Sequence, residues 1–160
     1  MLIQLNETLT LAAAPPEVWR LLRDTRRLAS LLPGVESIEP LAVPEGGEAY
    51  AAKVTEKVGP FRLTLKLEIR VTGLEEPSRM KAELKGSDGG GSNRMTGSLE
   101  AILGPGEAGG TRLQFGAAVE VLGKLASLGA VPIRRRSAEL FAEFAGRIER
   151  QFASPQEAPR

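Results

Sequence analysis

Residues Pro132 to Phe152 read PIRRRSAELFAEFAGRIERQF, and their periodicity sets what the remainder of the chain has to supply. On a 3.6-residue period, Phe141, Phe144, Ala145, Ile148 and Phe152 fall on one side, flanked by Ile133 and Leu140. The opposite side carries Arg135, Arg136, Glu139, Glu143, Arg147 and Arg150. Arg135 and Glu139 are spaced i,i+4, as are Glu143 and Arg147, the second pair in the more favourable Glu-first order. Pro132 suits a first helical turn, where its missing N–H is no loss. A helix of about twenty residues is about 30 Å long, and three of the five Phe residues lie on it. Such an aromatic stripe needs a broad concave partner.

The preceding sequence reads as strands that would make one. Phe61, Leu63, Leu65, Leu67, Ile69 and Val71 alternate with Arg62, Thr64, Lys66, Glu68, Arg70 and Thr72, giving one buried and one wet face. Weaker alternation marks Ile3 to Leu11, Ser37 to Val43 and Glu48 to Val58, then strands with inner sets Met80–Leu84, Met95–Leu103 and Leu113–Val121. Gly59-Pro60 and the Gly-rich run Gly86 to Gly91 are turns. Between the first two strands, Pro15-Pro16-Glu17 opens a short helix carrying Val18, Trp19, Leu21 and Leu22, and Arg26 to Leu31 forms a second. Segregated strands and helices predict an α+β fold, one antiparallel sheet curled around the C-terminal helix.

Several function classes are excluded or weakened by composition. The chain of 160 residues has no Cys, which removes disulfides and thiolate catalysis, and no His, the commonest general base and metal ligand. Lys+Arg 21 against Asp+Glu 20 gives a net charge of +1, so no global field favours nucleic acid. No apolar run approaches the roughly 18 residues of a membrane span. Asp88 to Ser92, DGGGS, lacks the Lys-Ser/Thr pair and the helix of a phosphate loop and reads as a hairpin turn. The expectation is a single domain over residues 1–152 with a flexible polar tail at 153–160. It would be soluble and cytoplasmic, or peripheral at the inner face of the membrane.

The runs APPEVWRLLRD (from Ala14), LASLLPGVESIE (from Leu28), VGPF (from Val58), GGTRLQF (from Gly109) and GKLASLG (from Gly123), with the Phe-rich end, resemble the G subunit of carbon monoxide dehydrogenase, the CoxG family. That family belongs to the START-like superfamily of helix-grip proteins, and the resemblance runs from about Ile3 to Phe152. It implies a seven-stranded antiparallel sheet gripping the C-terminal helix around an apolar cavity. It also implies a non-enzymatic accessory role beside a molybdenum-containing carbon monoxide dehydrogenase or related hydroxylase, in recruitment, maturation or binding of a quinone or lipid-like ligand. No metal or other cofactor and no nucleic acid partner is expected. Members with a membrane-attaching C-terminal extension exist. Here ASPQEAPR follows Phe152, so the expectation is a peripheral membrane contact without an anchor.

Small inward positions, Ala52, Ala82, Gly97, Ala101 and Ala117, leave either a cavity between sheet and helix or a space that Leu and Phe fill. The ligand-binding set expected for such a cavity is Tyr50, Glu56, Leu65, Leu67, Gly97, Phe115, Ala117, Arg134, Ser137, Phe141 and Phe144. Glu7 and Glu56 share parity with apolar neighbours, so each is either an acid in an apolar setting or a strand-end carboxylate with its head in water. Arg134 lies on the Phe141 side one turn into the helix and either anchors a ligand oxygen or snorkels to solvent. Tyr50, the only Tyr, reads as a structural hydroxyl rather than a catalytic one. Gly123 to Val131 is either a mobile lid or docking surface, or a kinked first helical turn. The competing functional reading is a START-like enzyme, a cyclase or hydratase using Glu56 or Glu7 as acid and base.

Overall fold

The period-two runs become seven strands: β1 (Leu2–Leu11), β2 (Val35–Leu41), β3 (Ala49–Val58), β4 (Phe61–Glu75), β5 (Arg79–Ser87), β6 (Asn93–Pro105) and β7 (Thr111–Gly123). A computed structural model describes residues 1–152; the expected polar tail at 153–160 lies outside the described residues. The strands form one sheet in the order β1-β7-β6-β5-β4-β3-β2, with every pairing antiparallel. Helices α1 (Pro15–Arg23) and α2 (Thr25–Ser30) lie between β1 and β2, and α3 (Ala130–Gln151) closes the chain. The fold is α+β, as the segregation of strand and helix patterns predicts.

Local chemistry explains the boundaries. Pro15 starts α1, and Asp24 ends it while capping α2, its side chain accepting from the Arg27 N–H at 3.2 Å. β2 begins at Val35, two residues before the expected Ser37, with a register irregularity between those two positions. β4 continues to Glu75 through an irregularity at Val71/Gly73, so Gly73 lies inside a bulged strand. Gly123 to Val131 becomes a 3-10 segment, Lys124–Leu128, followed by Gly129 and the start of α3. The segment is tied down: Leu125 is buried and its N–H donates to the Asn93 side chain at 2.6 Å. Pro132 is the third residue of α3, still within the turn whose N–H groups have no intrahelical partner.

Apolar packing divides into two clusters at opposite ends of α3. In one, Phe144, Ala145 and Ile148 meet Val18, Trp19, Leu21 and Leu22 of α1 and Leu9, Leu11, Ala101, Leu103 and Leu113 of the sheet. In the other, Ile133 meets Ile3, Val58, Leu63, Leu65, Val121 and Leu125. No helix among the described residues is long and apolar enough to cross a membrane.

Candidate functional site

Strand register aligns the inward side chains into rows across the sheet. One row runs Val71–Ala82–Leu99–Ala117–Leu5 over β4, β5, β6, β7 and β1. All five are apolar, all are half-buried, and none belongs to either core cluster. The adjacent row runs Tyr50–Ile69–Leu84–Gly97–Val119–Ile3. On one side of the central row, Phe115, Phe141 and Phe144 form a ring cluster with centroids 5.6 to 6.1 Å apart. Tilted and edge contacts of this kind add to the burial of each ring. The sheet is thus lined from end to end with apolar groups, while the packed clusters sit at its two ends.

Two polar arrangements border this face. The first ties α1 to the start of β3: Arg23 donates to Glu48 Oε1 at 2.6 Å, and the Tyr50 hydroxyl donates to Glu48 Oε2 at 3.2 Å. Glu76 in the β4–β5 turn lies 3.6 Å from Arg23. The hydrogen bond from Arg23 holds the Glu48 carboxyl below its ordinary value, with the Arg23 charge and the Tyr50 bond adding to it and burial opposing. A depressed folded-state pKa contributes stability above the unfolded value, which is lost as pH falls through the folded one. Acid titration monitored by circular dichroism should therefore destabilise the native chain below about pH 4.5, the ordinary Glu value, more steeply than a Glu48→Gln variant. Parallel acid curves for the two proteins would refute the coupling.

The second arrangement joins α3 to β3. Glu56 points inward with only 13% of its side chain exposed, and Arg136 donates to its Oε2 from Nη2 at 2.7 Å and from Nε at 3.2 Å. The Lys57 N–H lies 3.3 Å from the same oxygen. A Cβ on Gly34, whose φ is +83°, would lie 2.7 Å from Glu56 Oε1. Only glycine combines that conformation with that approach.

Residues 8–153 match the family described as the carbon monoxide dehydrogenase G subunit (CoxG). The chain belongs to that family. No curated protein matches the sequence. Among solved structures, a conserved protein from Geobacillus kaustophilus is similar at TM-score 0.80 and 23% identity, covering 94% of this chain and 95% of the other. A START superfamily protein from Mycobacterium smegmatis is similar at TM-score 0.70 and 14% identity, covering 93% and 96%. The ZhuI aromatase/cyclase from a Streptomyces species is similar at TM-score 0.61 and 20% identity, covering 96% and 98%. At these identities the likeness establishes the fold. This CoxG family member shares its fold with them.

The CoxG fold brings only some of the expected site residues together. Phe115, Phe141 and Phe144 meet; Leu65 is buried in the opposite cluster, with Leu67 packed against it; Ala117 lies in the central row between them. Ser137 is half-buried on α3. Tyr50 faces inward with its hydroxyl satisfied by Glu48. Arg134 is exposed, whereas Arg136, which the helical wheel put on the solvent side, reaches Glu56. The packed face of α3 is centred on Ile133, Phe144 and Ile148 rather than on the Phe141–Phe152 line, which turns Arg134 outward and Arg136 toward β3. The expected Arg135–Glu139 pair is replaced by Arg136–Glu139 at 3.8 Å, while Glu143–Arg147 forms at 2.6 Å. Glu7 stands opposite Phe115 but is exposed, because β1 is an edge strand. Four strands separate it from β3 and Glu56. Gly97 is pressed against β7: a Cβ there would lie 2.5 Å from the Ala118 carbonyl oxygen.

Proposed function

We propose that this member of the CoxG family carries an apolar ligand over the central row of its sheet, as an accessory protein to a molybdenum-containing hydroxylase. The observation that carries the reading is the row Val71–Ala82–Leu99–Ala117–Leu5, an apolar band across five strands that stays half-buried between two packed clusters. Small and branched aliphatic side chains there suit a flat ring or hydrocarbon tail, and a quinone or lipid-like molecule has that chemistry. Three rings at one end of the band offer edge and face contacts to such a guest. Carriage of this kind asks no group to change protonation, in keeping with a chain that contains neither His nor Cys. Recruitment to the cytoplasmic face of the membrane, where apolar ligands and the partner enzyme would meet, belongs to the same proposal.

A short-chain quinone titrated against the full chain should quench the fluorescence of Trp19 or of a bound apolar dye with a stoichiometry near one. Ala117→Leu should abolish that binding with the far-UV spectrum and unfolding midpoint nearly unchanged, since the added carbons enter space that the ligand would occupy. Overpacking a filled core instead costs typically about 1–3 kcal/mol. A destabilised variant together with no probe binding by the native chain would overturn the carrier reading. Co-purification of the full chain with the molybdenum enzyme tests the accessory role separately.

A second reading is favoured by the fold shared with an aromatase/cyclase. In an enzyme of that kind Glu56, inward and gripped by Arg136, is the group to work as acid or base. Turnover of a ring-closing or hydrating substrate that disappears in Glu56→Gln would establish it. Unchanged ligand affinity in Glu56→Gln, with no turnover by either protein, would leave carriage.

A further inference from the structure

A hollow of about 390 Å³ opens where the edge of β3 outruns β2, lined by Thr55, Glu56, Lys57, Arg62 and Arg136. Pairing with β2 starts at Val35–Val54, and Gly34 accepts the Thr55 N–H at 2.9 Å. Beyond that point β3 has no neighbouring strand on this edge. Lys57 and Arg62 stand directly opposite one another across β3 and β4. Like charges at such a position destabilise a sheet. Nearby carboxylates are already engaged: Glu56 is held by Arg136 at 2.7 Å, and Glu36 lies 3.4 Å from Lys53. Neither Lys57 nor Arg62 enters an ion pair within 4.0 Å among the described residues. Among the lining side chains alone, three cations against one carboxylate sum to +2, with Glu36 and Glu139 at the rim.

The geometry points to a binding site for a phosphate-class dianion, presented either as a free phosphate group or as the phosphomonoester headgroup of an anionic lipid. The Arg62 guanidinium fork and the Lys57 ammonium, beside an Arg136 whose fork already grips Glu56, match an oxyanion of several acceptor oxygens, and charge-assisted bonds of this type are the stronger ones. The charge balance favours a dianion over a single carboxylate, because a charge of −2 cancels the hollow's excess. The site is independent of the apolar band and of the carrier proposal.

The test uses the full, isotope-labelled chain. Inorganic phosphate is titrated against chloride at fixed ionic strength while amide and guanidinium resonances are followed by NMR. Saturable shifts centred on Thr55, Lys57, Arg62 and Arg136 are expected. Lys57→Gln and Arg62→Gln should each weaken binding about tenfold or more, while Lys85→Gln, an exposed cation on β5, should leave it unchanged. A parallel flotation assay compares vesicles containing phosphatidic acid, whose phosphomonoester headgroup can carry two negative charges, with phosphatidylcholine vesicles. Vesicle binding that is lost in Lys57→Gln and Arg62→Gln assigns the headgroup as the source; phosphate saturation without vesicle binding assigns a free phosphate. The proposal is overturned if neither ligand engages these residues, or if Lys85→Gln weakens binding as much as the two site variants. That second result would mean diffuse surface charge only.

Discussion

Truncating Ile148 to Ala should lower the unfolding free energy by about 2–5 kcal/mol, the range measured for buried aliphatic residues. Ile148 is fully buried where α3 meets Leu21 and Leu22 of α1 and Leu113 of β7. Removing three carbons forfeits roughly 0.8 kcal/mol of transfer free energy for each. The rest of the loss depends on how far the surroundings collapse into the space left behind. Urea unfolding gives the value directly, and Lys66→Ala on the wet face of β4 is the control, expected within about 0.5 kcal/mol of the native chain. Equal, small effects for both substitutions would mean that α3 does not pack as described. Because Ile148 belongs to one end cluster and not to the central row, its loss should act on stability without reshaping the apolar band.

Gly97→Val should prevent folding altogether. A Cβ at that position would sit 2.5 Å from the Ala118 carbonyl oxygen and 3.0 Å from the Val119 Cα, backbone atoms of the paired strand. Relief would require β6 and β7 to separate, at the cost of ladder hydrogen bonds along a pairing that runs from Asn93–Gly123 to Pro105–Thr111. Gly104→Ala is the counterpart, since a Cβ there meets nothing within 4 Å and should be tolerated. Soluble yield and far-UV circular dichroism of the two variants decide the point. A well-folded Gly97→Val protein of native stability would show that the strands yield easily. The pair also explains why Ala117 rather than Gly97 is the position at which to test occupancy of the inner face.

Much of the fold was legible because it is periodic. Alternation from Phe61 to Val71 identifies the inner face of β4, and the Phe stripe identifies the gripped side of α3 to within about one residue around the helix. That small error had a local consequence: it exchanged the roles of Arg134 and Arg136. Glu143–Arg147 was legible from its i,i+4 spacing, but long-range contacts between charges were not, for Arg136 and Glu56 lie 80 residues apart and Arg23 and Glu48 lie 25 apart. No spacing rule links such positions. Parity put Glu56 and Glu7 on the same face, but only sheet order reveals that β1 is an edge and leaves Glu7 in water. Gly97 illustrates a deeper ambiguity. A missing side chain reads identically whether it makes room for a guest or for a neighbouring strand, and here the strand occupies the room.

Anchoring α3 through Ile133 at one end and through Phe144, Ala145 and Ile148 at the other makes it a beam resting on two supports. Long helices bow gently at little cost, because their outward hydrogen bonds can lengthen slightly. Bowing at midspan, with a matching flex of the sheet beneath Val71, Ala82, Leu99 and Ala117, changes the height over the central row while leaving the supports in contact. This arrangement is expected to make the middle more compliant than the two packed ends. If the band carries a ligand as proposed, guests of different thickness would be accommodated by elastic deformation there, with neither hydrophobic cluster having to melt.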